Sequence, residues 1–362
     1  MKRNLFLSAS ILILSSTICF SAASIRGLGD LPGGSYESMA YGVSADGSVV
    51  SGYSGSTNYY DVFRWTAAGG IQNLNTIPNS YSLGGRISCD GSAVVGDLRT
   101  WSGSVEAYRW TSSGGTGLGF LPQAIKSSAF GTSADGSVVV GVSYAVFVQA
   151  FRWTAETGMT GLGYLPGGSE NSFARGVSGD GSVVVGDSSS SLGTQAFRWT
   201  STDGMIGLGD FDGGTFQSSA NAVSADGSVI VGYGRSSSGQ QAFRWTSEEG
   251  MVSIGGGDAY AVSADGSVIV GSNGSGAFYW TQSGGMQNLK DLLISLGADL
   301  TTWNGKQWTL TAATGISADG KTIVGYGYNG GSSTQEAWVA TIPEPCTLIL
   351  VCVGGLILRK KK

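Results

Sequence analysis

The chain has 362 residues, 61 of them Gly and none His, with 12% charged and a net charge of −5. The missing His excludes Ser/His triads and His-ligated zinc, and 41% hydrophobic residues exclude a disordered chain. Residues 24–342 hold 14 basic and 24 acidic side chains, about −10, so the basic footprint of a nucleic-acid partner is missing.

The first 23 residues read as a secretory signal peptide. Lys2 and Arg3 form a positive start, Leu5 to Leu14 is apolar, and Ser21-Ala22-Ala23 offers small residues for signal peptidase, with cleavage expected after Ala23. A retained membrane anchor is the alternative. Cys19 follows Ser-Thr-Ile, a mismatch to lipoprotein signals, so no N-terminal lipid is expected.

From residue 24 to 342 the chain repeats itself. Ser-x-Asp-Gly recurs with Asp at 46, 90, 135, 180, 226, 265 and 319, and a Trp follows each, at 65, 110, 153, 199, 245, 280 and 338. One repeat of ~45 residues predicts four strands. In the first copy these are a (Ala40 to Ser44), b (Ser48 to Tyr53), c (Val62 to Thr66) and d (Ile71 to Leu74). Asp-Gly between a and b is a hairpin signal, because both residues tolerate left-handed conformations. In Ala-Phe-Arg-Trp-Thr, Phe and Trp share one face of strand c and Arg takes the other.

Four strands per repeat, seven times over, predict an all-β fold, a seven-bladed β-propeller. The seventh copy lacks strand d after Trp338, while Ile25 to Leu31 looks like a strand d without its own a, b and c. The expectation is therefore a ring closed by an N-terminal strand in the last blade, which removes both open edges. A β-solenoid is the competing architecture. Within 286–308, Leu289, Leu292, Leu293 and Leu296 have helical spacing and predict a short helix packed on the ring.

Candidate sites follow from the loops. The b–c connections vary most among copies (Gly55 to Asp61, Leu98 to Glu106, Tyr144 to Val148, Ser188 to Thr194), and variable loops on a fixed scaffold carry recognition. Tyr59, Tyr60, Trp101, Tyr144 and Tyr328 are the candidate ligand-binding residues, as flat platforms for sugar rings. The competing reading folds them back onto blade edges. Strand a also varies, at Tyr41, Phe130, Arg175, Asn221 and Tyr260, which packing between blades would explain.

The seven Asp supply one carboxylate per turn, so they read as turn formers and not as calcium ligands. The strand-c arginines Arg64, Arg109, Arg152, Arg198 and Arg244 are placed to pair with them. Asp210 and Asp212 are the better calcium candidates, although no metal or cofactor is expected. No catalytic constellation stands out. The enzymatic alternative is a carbohydrate-active glycosidase or lyase using rim carboxylates, namely Asp97, Asp187, Asp210 and Asp212. Cys89 is the one cysteine of the body and reads as a small buried replacement for the Ala of other copies.

At the C-terminus Pro343-Glu344-Pro345 precedes an apolar run, Cys346 to Leu358, and then Arg359-Lys360-Lys361-Lys362. Thirteen residues fall short of the roughly 20 that span a bilayer comfortably, and the basic end stays cytoplasmic by the positive-inside rule. This ending, 343–362, resembles the PEP-CTERM sorting signal of Gram-negative bacteria, although Cys346 stands where Ser or Thr is common. The resemblance implies an exosortase partner, transient inner-membrane anchoring through the C-terminal hydrophobic helix, and removal of that tail near the motif. The body resembles the HAF family of extracellular repeats in Gln-Ala-Phe-Arg-Trp-Thr (149–154, 195–200, 241–246) and Leu-Pro-Gly-Gly-Ser (31–35, 165–169), with Gln149, Gln195 and Gln241 in place of the family's His. That resemblance implies export and repetition and brings no reaction with it. The expected protein is a non-enzymatic surface or extracellular matrix protein, exported across the inner membrane, with extracellular polysaccharide as its candidate partner.

Overall fold

The computed structural model describes residues 22–301 and 305–343. The signal peptide up to Ser21, and Glu344, Pro345 and the apolar tail of the sorting signal, lie outside the described residues. Among the described residues no helix is long and apolar enough to cross a membrane.

After β1 (Ser24–Gly27) the strands come in antiparallel groups of four. The first blade is β2 (Ser38–Val43), β3 (Val49–Ser56), β4 (Tyr59–Thr66) and β5 (Gly70–Asn73). The second is β6 (Ser80–Ile87), β7 (Ala93–Thr100), β8 (Val105–Thr111) and β9 (Gly114–Gly117). The third is β10 (Lys126–Thr132), β11 (Val138–Tyr144), β12 (Val148–Thr154) and β13 (Gly158–Gly161). The fourth is β14 (Gly167–Val177), β15 (Val184–Ser190), β16 (Gly193–Thr200) and β17 (Gly204–Gly209). The fifth is β18 (Ser219–Val223), β19 (Ile230–Ser236), β20 (Gly239–Thr246) and β21 (Gly250–Gly256). The sixth is β22 (Asp258–Val262), β23 (Val268–Asn273), β24 (Gly276–Thr281) and β25 (Gly285–Asn288). Helix α1 (Leu289–Ser295) follows, and then β26 (Thr309–Ile316), β27 (Thr322–Tyr328) and β28 (Gln335–Thr341). Single parallel bridges, Lys126 to Val105 and Val148 to Asn171, join the second, third and fourth blades into one twelve-stranded sheet.

The last group has three strands of its own, and β1 supplies the fourth. It pairs antiparallel with β28, from Ser24 opposite Thr341 to Gly27 opposite Trp338. At the a–b turns, backbone hydrogen bonds run from blade to blade: Ala45 to Cys89 at 2.7 Å, Asp90 to Ala134, Ala134 to Gly179, Gly179 to Ala225, Ala225 to Ala264, Ala264 to Ala318, and Ala318 back to Ala45 at 3.1 Å. The bonds return to the turn from which they started. Serine staples repeat the pattern at the outer end of strand a. Ser127 Oγ accepts from the Ala107 amide and donates to the Gly119 carbonyl of the preceding blade. Ser38 does the same with Ala337 and Gly29 across the closure.

Five of the seven blades share one contact, and Tyr108 opposite Gly96 and Trp338 opposite Gly325 replace it in the other two. The strand-c Phe lies opposite a strand-b Gly (Phe63 and Gly52, Phe151 and Gly141, Phe197 and Gly186), and these rings are fully buried. Each such ring stabilises the fold by about 1.5–3 kcal/mol. A Cβ on Gly186 would stand 1.8 Å from the Phe173 carbonyl oxygen, and one on Gly141 2.0 Å from that of Ser128, so strand a crosses too close for any other residue. Trp338 corrects the sequence reading. It lies opposite Gly325, in the Phe position, and Ala340 takes the place of the repeat Trp. Helix α1 packs as expected, capped by the Asn288 side chain, with Leu289 and Leu293 buried against Trp308 and Trp338.

Candidate functional site

Strand a carries a β-bulge in every blade, where one residue is skipped in the pairing with strand b. At the place shared by all seven, the skipped residues are Tyr41, Gly85, Phe130, Arg175, Asn221, Tyr260 and Thr314, and β14 and β26 each carry a second irregularity nearer their start. A bulge re-aims its side chain out of the ladder, and six of these seven residues line a shared chamber of about 470 Å³. The second blade differs: Gly85 has no side chain to offer, and Arg86 lines the chamber in its place. This column was discounted in the sequence as inter-blade packing, and its variation among otherwise uniform copies was the signal that could have marked it. Strand-b residues that follow the glycine (Tyr53, Asp97, Tyr326) complete the wall, so the chamber belongs to the end of the disc that carries the b–c hairpins.

The b–c connections are tighter than the sequence suggested. β3 and β4 stay paired out to Ser56 opposite Tyr59, leaving a two-residue turn. Tyr59 holds φ at 96°, a left-handed value that a large side chain adopts only under constraint. The two-residue turn sets that value, as it does for Gly239 and Gly276 in the same place of their hairpins. Beside it lies Asp61, fully buried, whose carboxylate accepts from Ser56 Oγ at 2.7 Å, Asn73 Nδ2 at 2.9 Å and Asn75 Nδ2 at 2.7 Å. Sequence reasoning missed this residue, since one acidic side chain in a hairpin carries no pattern.

Three of the five predicted aromatics belong to a continuous strip. Tyr41 stacks on Tyr53 at 5.6 Å between centroids, Tyr53 meets Tyr60 at 5.4 Å, and Tyr60 meets Tyr59 at 4.4 Å. Tyr59 then meets Tyr81 at 5.7 Å, and Tyr81 meets Trp101 at 5.3 Å. The strip runs from the chamber wall to the rim of the first two blades. Tyr59 is 60% and Trp101 63% exposed, whereas Tyr60 is tied down, its hydroxyl donating to Glu37 Oε2 at 2.7 Å and its pKa pushed up to about 12 chiefly by that bond. Tyr144 and Tyr328 stand outside the strip. Tyr144 lies within the field of Asp97, Arg99 and Arg175, and Tyr328 accepts from Gln335 Nε2 at 3.4 Å.

Three of the four predicted carboxylates are engaged. Asp97 pairs with Arg99 at 2.9 Å, and burial raises its pKa. Asp187 pairs with Arg175 and accepts from Ser219 Oγ at 2.9 Å. Asp210 accepts backbone amides of Phe211 at 2.8 Å, Gln217 at 2.5 Å and Arg235 at 2.9 Å, which makes it a loop organiser, and Asp212 is exposed. Among the described residues no three His, Cys, Asp or Glu side chains gather as metal ligands.

The a–b turns behave as turn formers. Asp46 Oδ1 accepts from the Ser44 hydroxyl at 2.6 Å and the Ser48 amide at 3.0 Å, and Gly47 holds φ at 73°. The strand-c arginines do not pair with these carboxylates. Arg109 and Arg152 donate to the turn-glycine carbonyls of the next blade, Gly136 at 2.8 Å and Gly181 at 3.1 Å. Arg244 pairs with Glu249 in its own blade. Cys89 is exposed, contrary to expectation, because it sits in the inter-blade hydrogen-bond circuit where only the backbone is engaged.

No family model matches the chain, and no curated protein does. Solved structures do. An oligogalacturonate lyase from Vibrio parahaemolyticus superposes with a TM-score of 0.54 at 9% identity, over 90% of this chain and 98% of that one. TolB from Acinetobacter baumannii gives 0.47 at 14% identity over 70% of this chain, and the chain spans 63% of its length. At 9% identity the likeness to the lyase is one of fold alone, and it supports the all-β, β-propeller architecture.

Proposed function

We propose that this is a seven-bladed, ring-closed repeat protein that is exported through its N-terminal signal, sorted by an exosortase at Pro343-Glu344-Pro345, and displayed at or beyond the cell surface as a non-enzymatic binder of extracellular polysaccharide. The observation that carries the binding reading is the unbroken aromatic strip from Tyr41 to Trp101, with its outer members exposed. Successive rings beyond Tyr53 meet edge to face or tilted, and the exposed Tyr59 and Trp101 offer apolar surface to the CH faces of sugar rings, whose hydroxyls stay in water. The φ of Tyr59 supports it, since Gly193, Gly239 and Gly276 hold positive φ at the same place of their hairpins, and only the first blade sets a large ring there.

The test is a panel of neutral and acidic glycans offered to the purified protein and to Tyr59→Ala and Trp101→Ala. Binding that falls about tenfold or more in either variant is the expected result, and no binding to any glycan removes the reading. A carbohydrate-active glycosidase or lyase is the second reading, favoured by one observation: Asp97 fronts the chamber with its carboxyl pushed up by burial. Incubation with the same glycans that yields no new reducing ends and no unsaturated products removes it.

A further inference from the structure

The chamber wall holds three formal charges, Arg86, Arg175 and Asp97. Two are neutralised by neighbours, Asp97 by Arg99 and Arg175 by Asp187. Arg86 is not. Its Nη1 donates to the Tyr41 carbonyl at 3.0 Å and the Thr314 carbonyl at 3.2 Å, its guanidinium lies 5.8 Å from the Tyr41 ring, and among the described residues it makes no salt bridge. Burial depresses its pKa, and nearby Arg175 adds to the depression. Arginine nevertheless keeps its proton. Arg86 is half-buried, a charge partly withdrawn from water without a counter-ion is costly, and both carbonyls are served by one nitrogen of a fork that carries five N–H donors.

The walls around that fork are sugar-compatible. Tyr41, Tyr53, Tyr260, Tyr326 and Phe130 supply rings, and Asn221 supplies an amide. The volume, about 470 Å³, falls in the range of roughly 300–1,000 Å³ typical of small-ligand pockets. The strip leaves the chamber at Tyr53 and leads outward. The rest of the body is acidic, with 24 acidic against 14 basic side chains over 24–342, so a densely charged polyanion would be repelled along its length. A glycan with one acid at the site and neutral units beyond it meets no such field.

We propose that the chamber takes a sugar unit bearing a single carboxylate, paired with the Arg86 guanidinium, while the neutral units that follow lie along Tyr60, Tyr59, Tyr81 and Trp101. This rests on the polysaccharide-binding reading above and adds the chemistry of the terminal unit. A planar carboxylate matches the guanidinium fork in two parallel hydrogen bonds, which a spherical anion does not.

The probes are glucuronate and glucose, alike except for the carboxylate, titrated calorimetrically into the purified protein at neutral pH. Glucuronate should bind at least tenfold more tightly than glucose, and the preference should shrink in 1 M salt. In Arg86→Gln the preference should vanish, and in Arg86→Lys it should be partly kept. Should the Arg86 variants fail to fold, the wild-type comparison still decides: equal affinity for the two sugars overturns the assignment. Inorganic phosphate or sulfate that competes as well as glucuronate also overturns it, since the site would then read charge alone. Neutral oligosaccharides bound through Trp101 without any glucuronate preference would sink the chamber and leave the strip. Glucuronate bound without neutral oligosaccharides would sink the strip and leave the chamber.

Discussion

The two ends of the disc are built by opposite rules. At the a–b end, seven turns repeat one set of bonds, with a Ser hydroxyl on the Asp carboxylate at 2.6–2.7 Å, the amide two residues on at 2.9–3.0 Å, and Gly at φ 70–76°. At the b–c end, the seven bulge residues are nearly all different, and the aromatic strip occurs in only two blades. Repetition marks what the fold needs everywhere. Singularity inside a repeat marks what the fold does not need at all, and that is where the proposed ligand-binding residues lie.

Four experiments press on this contrast, from the largest expected effect to the smallest. Deleting Ser24–Gly27 strips β28 of its partner. The single cooperative melt should be replaced by a broad or early one, and an unchanged melt would mean that closure contributes nothing. Gly186→Ala forces a Cβ into the Phe173 carbonyl and should cost about 3 kcal/mol in denaturant unfolding; a neutral result would mean that the bulge yields easily.

Acid should act mainly on the uniform end. Asp46, held first by the Ser44 hydroxyl, and Asp135, held first by the Ser137 amide, have pKa values lowered to about 2, and the other five turn carboxylates shift the same way. A depressed folded-state pKa gives stability that is present above the unfolded value, near 4, and lost as pH falls through the folded one. The melting temperature should therefore hold down to about pH 4 and fall steeply toward pH 2, and each exposed turn should contribute little alone.

The singular end should be expendable to the fold. Tyr59→Gly relieves the positive φ and should leave stability unchanged or raise it by up to about 1 kcal/mol, and Trp101→Ala should stay within about 0.5 kcal/mol. Glycan binding should fall in both. A large loss of stability in either would return these aromatics to the scaffold.

How much could be read in advance follows the same division. Asp-Gly spacing and the Phe-x-Trp alternation repeat often enough that the strands and the four-strand unit are legible, and so is the pairing of the leading segment, expected over Ile25 to Leu31 and found over Ser24–Gly27. The exposed members of the strip, Tyr59 and Trp101, were legible because they interrupt that pattern. Tyr81 was not, since it joins the strip across blades, a contact that no local spacing encodes. The chamber was hidden for a related reason: a bulge turns one residue of strand a out of alternation, so Arg86 falls on the inward side only because Gly85 is the skipped residue. Trp338 was misassigned because its column holds Phe in most other copies, and only the register with Gly325 reveals the shift.

The pairing of Ser24 with Thr341 also has a mechanical reading. The two ends of the folded chain leave the disc side by side from one antiparallel ladder, so a pull that separates them opens its rungs one after another, like a zipper. A pull between the C-terminal end and a ligand on the first two blades loads β28 instead, which is flanked on both sides and spread over many rungs at once. Tension from a bound partner would thus be borne by the strong direction of the seventh blade, and β1 would act as a latch that carries little of it.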